Sequence, residues 1–392
     1  MNIYNLKNIQ NVMDNSVKNN FVSGCNCLIF KNNKELGYFE SGFLDIENKI
    51  PFKRNTICRL FSMTKPVTAV ATMILVEKGI IDLWQNVSDF IPEFNNLKIC
   101  INDKIQKSQR PILIKDLLNM TSGFSYGSDL NVAEKELSIF INEFLNENVV
   151  TKNDFTTLDF AKKVAQIPVS FEPGTDYQYG ISADILAAVV EVASGMKYSD
   201  FLKKNIFEPL GMNDTDFYVP KEKQNRLAKI YEISERKLKL FTKCNLGIQN
   251  KMELIPSFES GGAGLNSTVD DYMKFCLMLV NKGLFDGKRI LQEKTVEFLS
   301  NSKLSDNLQK CFDKKMEHLQ GYTYCNLNRV CIDKGKTSIF TENGEFGWDG
   351  RLGPYMSVDL KNELTIVYLQ QITNSGTTST MRKIKNIIYS SL

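Results

Sequence analysis

Histidine is nearly absent from this chain, since its 392 residues include only one, His318. Zinc sites built on several histidines are therefore excluded, including the H-E-x-x-H type. A serine-histidine-aspartate triad would have to use His318, which lies in the polar setting Lys314-Lys315-Met316-Glu317, and we expect no G-x-S-x-G elbow to supply its serine. Because surroundings of this kind are usually solvated, we expect His318 to be an ordinary surface residue. No metal and no cofactor are expected.

Long apolar runs and C-x-x-C pairs are also missing. The longest apolar run, residues 67–76, is too short to cross a bilayer, and residues 1–20 hold no stretch long enough for a signal peptide. Several cysteines lie inside apolar runs, which favours reduced, buried thiols. The nine are Cys25, Cys27, Cys58, Cys100, Cys244, Cys276, Cys311, Cys325 and Cys331. We therefore expect a cytoplasmic location and no membrane span.

An excess of charge of one sign is lacking as well. The formal net charge is +3, and the basic residues are mixed with acidic ones along the chain. The densest basic run, residues 236–239, is interrupted by a leucine and reads as a solvated loop or strand face. Nucleic acid is therefore not expected as a partner. The oligomeric state is left open by the sequence.

Hydrophobic periodicity predicts strands towards both ends of the chain and helices between them. Strand patterns cover residues 25–30, 36–39, 56–61, 355–359 and 364–370. Helical patterns cover residues 6–17, 66–78, 114–120, 135–145, 158–166, 183–194, 199–206, 269–281, 293–300 and 380–389. This order predicts an α/β (α+β) fold with one sheet built from both termini. We expect a single unit, with an α/β part at 1–79 and 254–392 and a mostly helical part at 80–253.

A nucleophilic serine without a histidine needs another base, and a lysine three residues later on a helix shares its face. Four S-x-x-K patterns occur, starting at Ser62, Ser194, Ser234 and Ser300. The last three read as cap or turn residues, whereas Ser62 opens a strongly apolar helix. The N–H groups at that helix end would face an oxyanion. Burial would lower the pKa of Lys65, as a base working near neutrality requires.

Residues 60–79, which contain this pattern, resemble the first motif of the β-lactamase-related serine hydrolases. That family includes class C β-lactamases, D-Ala-D-Ala carboxypeptidases and family VIII carboxylesterases. Residues 117–124 are similar to its L-L-x-H-T-S-G segment, with Met120 in place of the histidine, and residues 261–268 to its glycine-rich segment. The resemblance spans most of the chain. It implies a β-lactamase/transpeptidase-like fold with an antiparallel sheet, and an acyl-enzyme formed on Ser62.

Two further motifs of the family are present, each with one residue that differs from the usual pattern. In residues 171–181, Tyr179 falls on the tyrosine of Y-x-N, but Ile181 replaces the asparagine. The resemblance implies that Tyr179 carries a proton between nucleophile and leaving group. In residues 347–350, Trp348 stands where K-T-G or H-x-G has lysine or histidine, a W-x-G form that resembles family VIII esterases. After Gly350, the backbone N–H of Arg351 would be the second oxyanion donor beside that of Ser62.

These departures bear on the substrate. Trp348 offers an apolar wall and one N–H where a lysine would hold the carboxylate of a penicillin. Loss of the asparagine at position 181 removes a polar contact to an amide. Both changes favour a carboxylesterase or acyltransferase acting on small acyl esters, although Arg351 could bind a carboxylate. The alternatives are a β-lactamase or D-Ala-D-Ala carboxypeptidase, with an amide substrate, and a non-catalytic binding module on the same fold.

Overall fold

The computed structural model of the chain describes residues 3–144, 155–243 and 252–392. Its central element is an eight-stranded sheet in which every neighbouring pair is antiparallel. Side by side, the strands are Tyr322–Cys325, Asn328–Cys331, Phe346–Gly347, Tyr355–Asp359, Leu364–Gln370, Gly24–Lys31, Lys34–Asp45 and Ile50–Pro51. The pairing of Gly24–Lys31 with Leu364–Gln370 joins the two ends of the chain. This confirms the antiparallel sheet built from both termini.

Four small strand pairs lie outside this sheet. They are Cys58–Arg59 with Asn266–Ser267, Lys98–Ile101 with Lys104–Lys107, Tyr231–Ser234 with Lys237–Leu240, and Leu284–Phe285 with Lys288–Arg289. The strand expected at residues 56–61 is therefore much shorter than predicted. Two of the hairpins fall in the part expected to be mostly helical. Asn102-Asp103 turns one of them at positive φ, a recognisable hairpin signal, whereas Glu235-Arg236 turns the other without such a signal.

The α-helices of the described residues largely follow the predicted pattern. They are Ile3–Leu6, Asn8–Lys18, Thr64–Glu77, Ile114–Leu118, Val132–Glu143, Thr157–Val164, Ser182–Ser194, Tyr198–Leu202, Glu208–Leu210, Val269–Val280, Glu293–Asn301, Asp306–Lys315 and Ser379–Ser390. Short 3-10 turns cover Phe61–Met63, Val87–Asp89, Pro92–Asn96, Lys221–Arg226 and Glu317–Leu319, and a π turn covers Lys203–Phe207. Leu145, the expected end of one helix, lies outside the described residues. The helix Asp306–Lys315 was not predicted.

The central strands of the sheet are buried on both faces, because their side chains alternate between two cores. In the strand Gly24–Lys31, Cys27 and Ile29 face the core beneath the helices Asn8–Lys18 and Ser379–Ser390, whereas Leu28 faces the larger core. The larger core also takes in the helix Thr64–Glu77, whose residues 64–75 are all buried. This burial fixes the helix that carries Lys65, the lysine of the S-x-x-K pattern.

Eight cysteines of the described residues carry free thiols, and seven of these are buried. Cys244 lies outside the described residues. No helix in residues 3–144, 155–243 and 252–392 is both long and apolar enough for a membrane span. Within the same ranges, no group of histidine, cysteine, aspartate and glutamate side chains is arranged to hold a metal ion. The cytoplasmic location and the boundaries near residues 79 and 254 stay predictions.

Candidate active site

Ser62 lies in the 3-10 turn Phe61–Met63, directly before the helix Thr64–Glu77. The preceding residue, Phe61, has a φ of +47°, a left-handed conformation that is strained for a bulky side chain. Its ring is buried in a small cluster with Ile57 and Leu352, and this packing holds the turn. From the sequence, Ser62 was expected to open the α-helix. The structure places it in a short turn directly before that helix.

Lys65 is buried beneath Ser62, with no exposed surface. Its Nζ lies 3.2 Å from Ser62 Oγ, 2.9 Å from the hydroxyl of Tyr126 and 2.8 Å from the carbonyl oxygen of Gly262. Burial lowers the pKa of Lys65 to about 8, although nearby carboxylates act in the opposite direction. An amine with this pKa is partly neutral near pH 7 and can accept the proton of Ser62.

Tyr126 is a member of the site that sequence reasoning missed. Its hydroxyl binds Lys65, and its ring meets that of Tyr179 edge-on, with 5.9 Å between the centroids. Burial raises the pKa of Tyr126 well above its usual value, and a hydrogen bond with Ser62 acts in the opposite direction. The available signal was its position, two residues after the segment 117–124 that resembles the family.

Tyr179 is held against the same lysine from a second side. Its hydroxyl accepts a hydrogen bond of 2.8 Å from Trp348 Nε1, and Lys65 Nζ lies 4.9 Å from the centroid of its ring. Burial raises the pKa of Tyr179, while hydrogen bonds with Ser62 and Trp348 act to lower it. The raised pKa makes the neutral phenol the resting form. Such a group suits proton relay better than service as a free phenolate base.

The two family positions that depart near Tyr179 have structural roles. Met120 is buried and adopts a φ of +56°, and its carbonyl oxygen accepts a bond of 2.8 Å from the backbone N–H of Gln178. Met120 therefore positions the segment that carries Tyr179. Ile181 is buried in the larger core immediately before the helix Ser182–Ser194. Position 181 thus contributes to packing rather than to the polar substrate contact that the motif suggested.

Gly350 brings the third motif against the nucleophile turn. A Cβ atom at this position would collide with the carbonyl oxygen of Leu60, so only glycine allows the approach. The backbone N–H of Gly350 donates to Pro354 and its carbonyl accepts from Gly353, each at 2.8 Å, which forms a tight turn. Arg351 follows in that turn and lines the same cavity as Ser62.

A cavity of about 670 Å³ opens over Ser62. Its apolar lining comes from Phe61, Ile141, Met316 and Trp348, and its polar lining includes Tyr126, Tyr179, Asp349 and Arg351. The structure thus brings together all the predicted site residues, with Ser62, Tyr179, Trp348, Gly350 and Arg351 at the cavity and Lys65 under the nucleophile. Its size and mixed lining suit a small organic substrate.

Two features decide whether a serine-histidine-aspartate triad could form, namely the position of His318 and a second serine motif. His318 is exposed, as expected, but it also lines the rim of the cavity, which the sequence did not indicate. The expectation that the chain holds no G-x-S-x-G pattern is wrong, because residues 123–127 fit it. The serine of that pattern, Ser125, is buried, and its hydroxyl binds Glu134 and the backbone N–H of Gly127. Ser125 is therefore a structural residue of a loop.

A family model described as Beta-lactamase matches residues 9–386. The chain belongs to the β-lactamase family. This membership confirms the resemblance drawn from the motifs, and with it the β-lactamase/transpeptidase-like fold.

Proteins similar to this chain include some with and some without an assigned activity. An uncharacterised protein of Mycobacterium tuberculosis is 27% identical over 366 residues, which cover 89% of this chain and 86% of that protein. Esterase EstB of Burkholderia gladioli is 26% identical over 275 residues, 67% of each chain. Among solved structures, EstCE1, a hydrolase with promiscuous acyltransferase activity, has a TM-score of 0.81 at 23% identity and covers 99% of both chains. Family and relatives support a serine hydrolase of the β-lactamase type.

Proposed function

We propose that this protein is a carboxylesterase or acyltransferase that acts on small acyl esters through an acyl-Ser62 intermediate. The observation that carries the proposal is the contact between Lys65 and Ser62. A fully buried amine, with its pKa lowered to about 8, lies 3.2 Å from a hydroxyl that lines an open cavity. A nucleophile within hydrogen-bond reach of a base with a tuned pKa is the usual mark of covalent catalysis.

In the acylation step, neutral Lys65 takes the proton of Ser62 as Oγ attacks the ester carbonyl. The backbone N–H groups of Ser62 and Arg351 would stabilise the oxyanion, as the family motifs imply. The turn at Gly350 supports this role, because its contact with Leu60 keeps the two segments close. Removing one such donor typically costs about 10²- to 10³-fold in kcat.

When the tetrahedral intermediate collapses, the leaving alcohol needs a proton. The neutral phenol of Tyr179 supplies it, and protonated Lys65 then returns its proton to the Tyr179 phenolate, so that both groups regain their resting forms. Tyr126 supports this exchange, since its hydroxyl binds Lys65 at 2.9 Å. Water or an acceptor alcohol then attacks the acyl-Ser62 ester by the reverse proton movements, giving hydrolysis or acyl transfer.

The apolar lining favours the ester over the β-lactam alternative. Trp348 replaces a cationic side chain of the third motif, and its single side-chain N–H is bound to Tyr179. A carboxylate next to the reacting carbonyl therefore meets no lysine there. A non-catalytic binding module is disfavoured, because Ser62, Lys65 and the tyrosines are retained together around one cavity.

Steady-state kinetics on two substrate types test the proposal. We expect kcat/KM for p-nitrophenyl acetate and butyrate to exceed that for nitrocefin by at least about tenfold, or about 1.4 kcal/mol in transition-state free energy. The Ser62→Ala variant supplies the background rate for both substrates. A reversed preference would replace the esterase proposal with the β-lactamase alternative. Wild-type rates no higher than those of Ser62→Ala on every substrate would favour the binding module.

A further inference from the structure

The mouth of the cavity carries one arginine, Arg351, with an exposed side chain. Within the described ranges its guanidinium has neither a carboxylate partner nor a side-chain hydrogen bond. Arg54, Arg226 and Arg329, in contrast, each form an ion pair with a carboxylate. Arg351 is therefore available to a ligand that enters the cavity.

The backbone of Arg351 is fixed although its side chain is unpaired. Its carbonyl oxygen accepts a bond of 3.0 Å from the N–H of Ser375, and the tight turn at Gly350 precedes it. The positive charge also acts on the catalytic centre, because it lowers the pKa of Tyr126, against the larger effect of burial. A cation anchored at this point can position a ligand group with little loss of backbone freedom.

The remaining lining indicates how a ligand would lie. Ile141 and Met316, which line the cavity, offer apolar surface for an acyl chain. Asp349, the carboxylate of the cavity, accepts a hydrogen bond of 2.5 Å from the hydroxyl of Thr377. The cavity thus holds one arginine and one carboxylate, and a single cation matches a monoanion better than a doubly charged phosphate. The planar guanidinium also fits the two oxygens of a carboxylate.

We propose that Arg351 binds a carboxylate at the far end of the acyl chain, so that the enzyme prefers anionic acyl esters to neutral ones of equal length. Half-esters of dicarboxylic acids are the substrate class. This inference rests on the proposed esterase function and deepens it. Arg351 then has two separate roles, with its N–H at the oxyanion and its side chain at the distal carboxylate.

The test compares mono-p-nitrophenyl glutarate with p-nitrophenyl pentanoate, which have acyl chains of equal length. We expect the wild-type ratio of kcat/KM, anionic over neutral, to fall about tenfold in Arg351→Gln and less in Arg351→Lys. Comparing variants cancels the intrinsic reactivity of the two esters. The matched control is Arg236→Gln, which removes the same charge from an exposed hairpin turn outside the cavity and should keep the ratio.

A ratio that Arg351→Gln leaves unchanged, or that Arg236→Gln lowers equally, overturns the inference while the esterase function stands. If neither ester is hydrolysed, the proposed function fails, and the role of Arg351 is then tested by measuring ligand binding. Calorimetry on Ser62→Ala protein would then compare monomethyl glutarate with methyl pentanoate. We expect tighter binding of the anion, lost when Arg351→Gln is added. Equal binding of the two esters would overturn the inference by itself.

Discussion

Trp348 Nε1 donates a hydrogen bond of 2.8 Å to the hydroxyl of Tyr179, and their ring centroids are 5.5 Å apart. This contact joins the second and third motifs of the family across the cavity. The sequence suggested Trp348 only as an apolar wall with one N–H. The structure shows that the N–H is used, and that it orients the proposed proton carrier.

Trp348→Phe keeps an aromatic wall but removes the N–H donor. We expect kcat to fall about two- to tenfold, because a neutral hydrogen bond is worth about 0.5–1.5 kcal/mol. Tyr324→Phe is the matched control, since the ring of Tyr324 packs 4.8 Å from that of Trp348 and its hydroxyl has no partner among the described residues. Equal losses in the two variants, measured on one p-nitrophenyl ester, would rule out a specific role for the N–H.

Tyr179→Phe removes the hydroxyl proposed to protonate the leaving alcohol while keeping the ring. We expect kcat to fall about 10²- to 10⁴-fold, the usual worth of general acid–base catalysis, and at least as much for Lys65→Ala. Because the two groups form one proton network, the double variant should be little worse than the poorer single one.

The control for Tyr179→Phe is Tyr177→Phe, two residues away. The hydroxyl of Tyr177 is buried without a hydrogen-bond partner in the described ranges, so its loss should leave kcat unchanged. Thermal melts establish that each variant is folded. A folded Tyr179→Phe enzyme with a near wild-type rate would transfer the proton role to Tyr126.

The sequence predicted the parts of the site that short motifs carry. Ser62 and Lys65 are three residues apart, on either side of the junction between the 3-10 turn Phe61–Met63 and the helix Thr64–Glu77, so local spacing sufficed to pair them. The bond between Lys65 and Tyr126 joins residues 61 positions apart, and no spacing rule reveals it.

The strand pair at residues 355–359 and 364–370 was predicted within its observed bounds, because apolar side chains run through both strands. The strands Tyr322–Cys325 and Asn328–Cys331 were missed. They are four residues long and contain polar residues, such as Thr323 and Arg329, that are buried only by the tertiary structure. Periodicity has little to detect in so short a segment.

The pH dependence of kcat/KM should follow Lys65. A base acts when deprotonated, so the rate should rise with pH and reach half its maximum near pH 8, where the pKa of Lys65 lies. Asp184 bears on this value because its Oδ1 accepts a bond of 3.0 Å from the N–H of Gly262, whose carbonyl binds Lys65. Burial lowers the pKa of Lys65, and the negative charge of Asp184 partly offsets this by raising it.

Asp184→Asn should therefore move the midpoint of the pH profile to lower pH. The control is Ser260→Ala, which removes a hydroxyl bound to the same carboxylate without changing the charge. A midpoint that stays in place in Asp184→Asn, or moves as far in Ser260→Ala, would contradict the electrostatic explanation.

A buried ionic group links the last helix to the sheet. Glu345 lies 3.0 Å from both Lys385 and Arg329, and all three side chains are buried. Burial alone would raise the pKa of Glu345, but the two cations overcome it and hold the value at about 2. Its folded pKa is thus below its ordinary value of 4.5, so the ionised carboxylate stabilises the fold above about pH 4.5. That stabilisation is lost as the pH falls towards 2.

Glu345→Gln should lower the free energy of unfolding by about 3–5 kcal/mol at pH 7, because two buried cations lose their counter-charge. The difference from wild type in urea titrations should shrink as the pH falls from about 4.5. The control is Glu293→Gln, which breaks an exposed pair with Lys282 and should change nothing measurable. Equal stability of Glu345→Gln and wild type at pH 7 would contradict this prediction.

The most direct test of Ser62 as the nucleophile is to locate the residue to which a fluorophosphonate probe attaches. We expect one adduct per chain, located by peptide mass spectrometry on Ser62. Ser62→Ala should be unlabelled but folded, because this small change costs about 1 kcal/mol at most. Ser125→Ala, which removes the serine of the G-x-S-x-G pattern, should be labelled like wild type wherever it folds. An adduct on Ser125, or labelling that survives in folded Ser62→Ala protein, would contradict Ser62 as the nucleophile.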